Sequence, residues 1–283
     1  MAAALTAVLR YGTFPLFAFG INALLIGLVG AHAPYWQPLL VLLAAIGLMF
    51  GIERLIPWQP SWNLAHGDAR RDLLHALVNT AFNHLGVLLL PLLAGLGVWR
   101  GLWPQGWPFW AQALLAILVA DLGISAVHHL SHKWPPLWRF HAVHHSVRRL
   151  YGFNGLMKHP LHQLAETLGG VLPLLLLGIP QPVALALVFC VAVQLLLQHS
   201  NADYRSGWLR VLFANAEVHR FHHSNRAGEG DVNFGLFTTC WDHLAGTFHD
   251  EAGAAPRAAG AVGLSGGEAW PDAYLAQLVR PFR

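Results

Sequence analysis

The sequence predicts an all-α integral membrane protein with four long transmembrane helices and a helical hairpin. Of its 283 residues 55% are hydrophobic and only 11% are charged, against roughly 25% charged in an ordinary soluble domain. Apolar runs recur at the length of about 20 residues that a helix needs to cross a hydrocarbon core. No stretch shows the period-two alternation of a half-buried strand.

The four spans read as residues 12–30, 37–56, 73–98 and 108–131. The first is a retained helix and not a signal peptide, because only Arg10 precedes it and the apolar run outlasts the usual length. A charge-free interval of 36 residues follows later, Thr167 to Ala202, broken by Gly178-Ile179-Pro180-Gln181-Pro182. A single helix of that length would overshoot the bilayer, and proline interrupts its hydrogen-bond ladder. The interval therefore predicts two helices in a hairpin, the first arm short.

Lysine and arginine near span ends set orientation. Arg54, Arg70 and Arg71 lie between spans two and three, and Lys133, Arg139, Arg148, Arg149 and Lys158 follow span four, whereas the opposite loops hold only Arg100. Residues 200–283 carry seven more arginines, so the His-rich segments are expected on the cytoplasmic side. Residues 251–267, rich in Ala and Gly, read as a flexible connector, and Trp270 to Phe282 as an amphipathic tail on the membrane surface. The whole chain is one membrane domain, with generic spans over 1–110, a region 111–250 that holds the polar chemistry, and the connector and tail over 251–283.

With 17 Lys+Arg against 14 Asp+Glu, the net charge of +3 is too small for a phosphate-gripping surface, so no nucleic acid is expected as partner. Two cysteines, Cys190 and Cys240, are too few for a disulfide scaffold or a thiolate metal site. Histidine is the anomaly: 18 in a chain otherwise poor in polar groups.

Eight of them form repeated patterns. His128 and His132 stand one turn apart at the end of span four, and His141-Ala-Val-His144-His145 and His219-Arg-Phe-His222-His223 are both H-x-x-H-H. In a helix such spacing puts the imidazoles on one face. Asp121 and Ser125 continue the His128 stripe into the span. A lone histidine is more often an interfacial anchor or a satisfied hydrogen-bond partner than a ligand. Protonated histidines stacked on one face repel, however, so these triplets are favourable when neutral and metal-bound. A pH-sensing cluster would not need the repeated spacing. Eight imidazoles exceed the four to six positions of one ion, which predicts a helical cap carrying a dinuclear, nearly all-nitrogen site. Closed structural zinc takes four ligands and hydrolytic zinc three, so the count points to redox or oxygen chemistry.

These boxes resemble those of the membrane fatty acid hydroxylase/sterol desaturase superfamily: H-x(3,4)-H, then H-x(2,3)-H-H, then a distant H-x(2,3)-H-H. The resemblance covers roughly Asp121 to Thr247. Leu137-Trp-Arg-Phe-His-Ala-Val-His-His-Ser146, Asp231-Val-Asn233-Phe-Gly, Trp241-Asp242 and Gly246-Thr247 look like the family's accompanying residues. The resemblance implies that 111–250 is a catalytic region and that His128, His132, His141, His144, His145, His219, His222 and His223 hold two iron ions. It further implies that O2 and two external electrons are used to hydroxylate or desaturate a lipid. The family usually has His-Arg-x-x-His in the first box, where this chain has His129 in the arginine position. The helical stripe favours His128, and a His129/His132 pair at i, i+3 stays open.

The resemblance adds His199, at the end of the hairpin, as a ninth ligand; the alternative is an interfacial anchor. Ligating imidazoles commonly give their second nitrogen to a carboxylate or carbonyl. Asp121, Asp231 and Asn233 are the chosen candidates, with Glu217 and Asp242 beside them, although Asx residues also cap turns. His159 and His162 are read as structural. His84 is an unpaired intramembrane group, and His32, His66, His75, His243 and His249 are read as surface or interface residues. Trp134 and Trp138 read as interface anchors.

A membrane lipid would reach such a site laterally from the bilayer. No Cys-rich cluster motif and no C-x-x-C-H occurs in the sequence, so electrons are expected from a separate donor protein. Two alternatives remain: an oxygenase of the same superfamily acting on a carotenoid, sterol-like or ether lipid, and a non-catalytic membrane metal carrier. A carrier would place its ligands near the midplane of broken helices.

Overall fold

The computed structural model describes residues 2–93, 101–226, 228–251, 262–265 and 270–283. Among them the fold is helical, with three isolated β-bridges and no strand. The helices are α1 (Ala2–Pro15), α2 (Asn22–Gly30), α3 (Trp36–Leu55), α4 (Ala69–Leu93), α5 (Phe109–Lys133), α6 (Pro135–His145), α7 (Pro160–Leu177), α8 (Gln181–Gln198), α9 (Ala216–His222), α10 (Cys240–Ala245) and α11 (Tyr274–Val279).

Four described helices are long and apolar enough to cross a membrane: Ala3–Gly30, Trp36–Leu55, Phe109–Lys133 and Gln181–Gln198. The first is longer than the sequence suggests, because a π-helical stretch, Leu16–Ile21, joins α1 to α2 without a break. The expected span 73–98 differs more. Its described part belongs to α4, whose opening turns carry Arg71, Asp72, His75 and Asn79, all buried, with Asp72 and Asn79 bonding the 3-10 turn Gly152–Leu156. The remainder of that span lies outside the described residues. Outward-facing leucines on α3, α5 and α7, such as Leu40, Leu43, Leu118, Leu122, Leu168 and Leu172, are 42–58% exposed. That much exposed apolar surface suits a helix face in lipid.

The hairpin forms at the expected segment, but its first arm is not short: α7 starts at Pro160, ahead of the charge-free interval, and at 18 residues equals α8. Gly178 ends α7 at φ 82, a left-handed cap conformation that suits glycine, and Pro180 and Pro182 open α8. α8 is the most enclosed of the four membrane-length helices, with α2, α3, α4 and α5 packed around it. The joint between α5 and α6 is set by Trp134-Pro135-Pro136. Trp134 is extended at φ −116, ψ 109, as a residue before proline prefers, and Pro135 restarts the chain as the first residue of α6. This turn folds the second His box back against the first.

α5 and α7 cross at glycine. A Cβ on Gly123 would lie 2.0 Å from the Gly169 carbonyl oxygen, and one on Gly169 would lie 2.6 Å from Val127 Cγ2. Such close backbone approach needs small residues. Gly123→Ala is expected to destabilise the protein by about 1–3 kcal/mol, the usual range for overpacking. Gly27→Ala, where nothing lies within 4 Å of the added methyl, should leave stability unchanged or slightly raised. Thermal unfolding of the two purified variants in one detergent checks the contrast.

Candidate metal centre

Nine histidines converge at the C-terminal end of α5. His128, His132, His141, His145 and His222 form one group and His144, His199, His219 and His223 a second, with the nitrogens of each group all within 4.8 Å of one another. The two H-x-x-H-H triplets do not each serve one site. On α6 the i, i+4 pair His141 and His145 joins the first group and His144 the second. On α9 the pair His219 and His223 joins the second and His222 the first. Each triplet thus bridges both groups. His128 enters the first group, while the His129 ring stacks on Phe234 at 4.6 Å, outside both.

The Nε2 atoms face one another. In the first group His128 and His222 are 2.9 Å apart, His132 and His145 3.2 Å, and His145 and His141 3.0 Å. In the second, His144 and His199 are 3.3 Å apart and His199 and His219 3.1 Å. Nitrogens bound about 2.0–2.1 Å from one ion stand about 3 Å apart.

The tautomers decide what these contacts are. His128 Nδ1 lies 2.9 Å from the Phe234 carbonyl, His222 Nδ1 2.9 Å from Val232 O and His219 Nδ1 3.4 Å from Asn233 O. His144 Nδ1 lies 3.2 Å from Met157 O and His199 Nδ1 3.1 Å from Leu195 O. A carbonyl only accepts, so each of these rings carries its proton on Nδ1 and presents a bare lone pair at Nε2. Bare lone pairs facing each other at about 3 Å repel unless a cation sits between them. His223, fully buried, has no hydrogen-bond partner for either nitrogen. The donor set therefore fits metal ions.

Burial, reinforced by the neighbouring imidazoles, pushes His141, His144, His145, His219, His222 and His223 well below the ordinary value of 6.5. Burial, with the Lys158 charge nearby, pushes His199 down to about 3. All seven are held neutral at physiological pH, as metal ligands must be.

The expected orienting residues divide. The Asp231 carboxylate meets His132 Nδ1 at 3.0 Å and also accepts from Lys133 Nζ at 2.8 Å. Asn233 orients His219 through its backbone carbonyl; its side chain instead bonds Val218 O and the His249 backbone, fixing a left-handed φ of 54. Asp121 touches no imidazole. Its carboxylate accepts from the N–H groups of Leu236, Phe237 and Thr238, from Thr238 Oγ1 and from Trp241 Nε1. Asp242 takes the Phe234 and Gly235 N–H groups, and Glu217 bonds Ser206. The sequence stripe placed Asp121 beside histidine; in the structure it pins the loop whose carbonyls 232–234 aim three of the rings.

Other histidines depart from the reading of the sequence. His75 is fully buried between Lys158 O and Gln277 Oε1, not at a surface. His84 bonds Thr80 O and packs against Tyr35 and Phe189. His162, fully buried, groups with His141 and Glu166 and bonds Ser131 Oγ. The i, i+4 spacing of His162 and Glu166 on α7 was the signal available for it. Trp138 packs on the His132 and His145 rings, so of the two expected interface anchors Trp134 alone is exposed.

The sequence matches a known family. The fatty acid hydroxylase family model matches residues 113–247. The chain is 33% identical over 272 residues to an ornithine lipid hydroxylase of Rhizobium tropici, covering 90% of this chain and 80% of the relative. The chain belongs to the fatty acid hydroxylase/sterol desaturase superfamily. This hydroxylase-superfamily chain is also 26% identical over 239 residues to a cholesterol 25-hydroxylase of Rattus norvegicus, with 78% of each chain covered. It is 30% identical over 176 residues to a beta-carotene hydroxylase of Pantoea ananas, 57% of this chain and 97% of that one. No solved structure matches it. Membership makes it an enzyme of the oxidoreductase class.

Two outcomes follow from the site. Asp121→Ala leaves three loop N–H groups without their acceptor and should weaken metal retention about 10- to 100-fold, the usual effect of losing an outer support; metal content after graded chelator exposure measures it. The metal-stripped protein should lose stability with acid. Its imidazoles are neutral when folded but protonate near pH 6.5 when unfolded, so their contribution is complete above 6.5 and falls as pH drops toward the His199 value of about 3. Melting of stripped protein at pH 7.5 and pH 5 checks the sign.

Proposed function

We propose that the protein is a membrane-bound, non-haem di-iron oxygenase that uses O2 and electrons from a separate donor protein to hydroxylate or desaturate a lipid. The observation that carries this reading is the pair of interlocked imidazole groups, whose bare Nε2 lone pairs converge at 2.9–3.3 Å. Five ligands would hold one ion and four the other. The names of the relatives, hydroxylases of an ornithine lipid, cholesterol and beta-carotene, support a lipid substrate.

When bound, the two ions supply the oxidising power toward an unactivated C–H bond that no side chain has. The protein's own part is position and dryness. Carbonyls 232–234, Met157 and Leu195 hold five rings in one tautomer, and the Asp231 carboxylate orients His132. Buried rings on all sides exclude water from the centre, which protects a reactive site from side reactions. The ring at His199 adds a ligand from the end of α8, tying the hairpin to the cap. The arginine and lysine bias of the loops supports a cytoplasmic location for the cap.

Purified protein should contain close to two iron ions per chain and consume oxygen with a lipid substrate and a reducing partner. His144→Ala and His222→Ala should each lower bound iron by at least one ion and reduce product to background. His128→Ala should be severe and His129→Ala mild. Full iron and full turnover in the His144 or His222 variant, or a more severe effect at His129 than at His128, would overturn the assignment.

A further inference from the structure

A cavity of about 230 Å³ lies among α4, α5, α7 and α8. Its walls are almost wholly apolar, and three of its lining residues, Leu164, Leu168 and Leu172 on the outer face of α7, are 52, 50 and 42% exposed. The cavity therefore has its rim on a helix face suited to lipid. One part of its lining is different. There Asn83, Lys158, Gln163, Glu166 and Thr167 line it together.

Within that polar part the hydrogen-bonding capacity is unbalanced. Lys158 Nζ, the one cation, is taken by Glu166 Oε2 at 2.5 Å. The Gln163 amide donates to Asn83 Oδ1 at 3.1 Å and Thr167 Oγ1 at 3.3 Å. Gln163 Oε1 is left buried with no partner, on a side chain only 8% exposed. An unmet buried acceptor in an apolar wall costs free energy that a ligand donor would restore. Beside it the Glu166 carboxylate can only accept, and the Thr167 oxygen already accepts from the Gln163 amide.

The same patch borders the metal centre. Glu166 lies within 4.8 Å of a nitrogen of His141, a member of the first imidazole group, and Gln163 sits three residues before it on one face of α7.

We infer that this cavity takes the alkyl chain of a lipid that carries a hydrogen-bond donor, an amide N–H or hydroxyl, held at Gln163 Oε1. Resting on the oxygenase reading, the inference makes the oxidised carbon one near the donor group and not one at the far end of the chain. It also separates this chain's substrate from pure hydrocarbons, which could fill the apolar wall but leave Gln163 unmet. Leu164, Leu168 and Leu172 form the entry, so the chain arrives from the bilayer and not from water.

The test uses a matched pair of probes, N-methylpalmitamide and methyl palmitate, which differ at one N–H. Full-length, metal-loaded protein in nanodiscs binds radiolabelled amide, and both compounds compete. The wild type is expected to prefer the amide at least tenfold, equivalent to about 1.4 kcal/mol. Gln163→Leu should lower amide affinity to the ester level and leave ester affinity unchanged. Gln163→Glu, which keeps an acceptor, should retain the preference. Leu168→Trp, which obstructs the rim, should weaken both probes alike. Equal affinity for amide and ester in the wild type, or an undiminished preference in a Gln163→Leu protein that keeps its metal, overturns the inference. The assay reads no turnover, so loss of oxygen-dependent product would sink the oxygenase reading alone, and equal probe affinities in metal-loaded protein would sink this one alone.

Discussion

Lone pairs cannot face one another in a dry interior without a positive charge between them, and that constraint governs this molecule. Five imidazoles whose Nδ1 positions are committed to carbonyls point bare Nε2 atoms inward at about 3 Å. Protonating them is the ordinary escape, but burial and mutual repulsion hold the cap rings neutral. A bound cation removes the conflict, and its binding energy then becomes part of the folding energy. Because each H-x-x-H-H triplet contributes to both groups, α6 and α9 cannot assemble one group of rings without placing rings for the other.

The protein meets this constraint by building from the membrane outward. Asp121, deep on α5, receives five hydrogen bonds from residues 236–241. Asp242 receives the next N–H groups back, from Phe234 and Gly235. Between them the two carboxylates fix the segment whose carbonyls aim His222, His219 and His128. A helix long enough to cross a membrane thus helps set, through one loop, the orientation of His219 and His222, on a distant segment of the chain, as well as of its own His128. Gly123 and Gly169 serve the same end, since they bring α7 against α5 at backbone distance.

Much of this was legible because the signals were local. His128/His132 and the two triplets sit at helical spacing, so their residue types and spacing alone marked a nitrogen-rich site, and the Gly-Ile-Pro-Gln-Pro segment marked the hairpin turn. The division of each triplet between two groups was not legible, because it depends on how α6 and α9 face each other and not on either helix alone. Carbonyls 232–234 leave no trace in side-chain identity. Asp121 stands out in the sequence as a carboxylate in a span, yet three of its five partners are backbone N–H groups that no residue pattern shows. α4 misled in the other direction: its apolar residues suggest a simple span, while its polar first turns are buried by the cap.

The remaining problem for such a centre is its water side. A site at the end of a membrane helix is dry toward the bilayer but open toward the solvent unless the chain covers it. Here the C-terminal residues do so. The Gly263 N–H bonds His223 O, and Val262 packs with Val143 and Val147 beside the second His box. Gln277, fully buried on α11, holds His75 Nε2 through Oε1 and donates to Ser146 Oγ and Pro271 O. His159 Nε2 bonds Leu278 O from below. The tail read from sequence as a surface element is amphipathic in the expected sense, with Leu275 and Phe282 exposed, but its Gln277 side chain is turned inward onto His75 and Ser146, and its Leu278 carbonyl meets His159. These two contacts account for the burial of histidines 75 and 159, which lie outside every box.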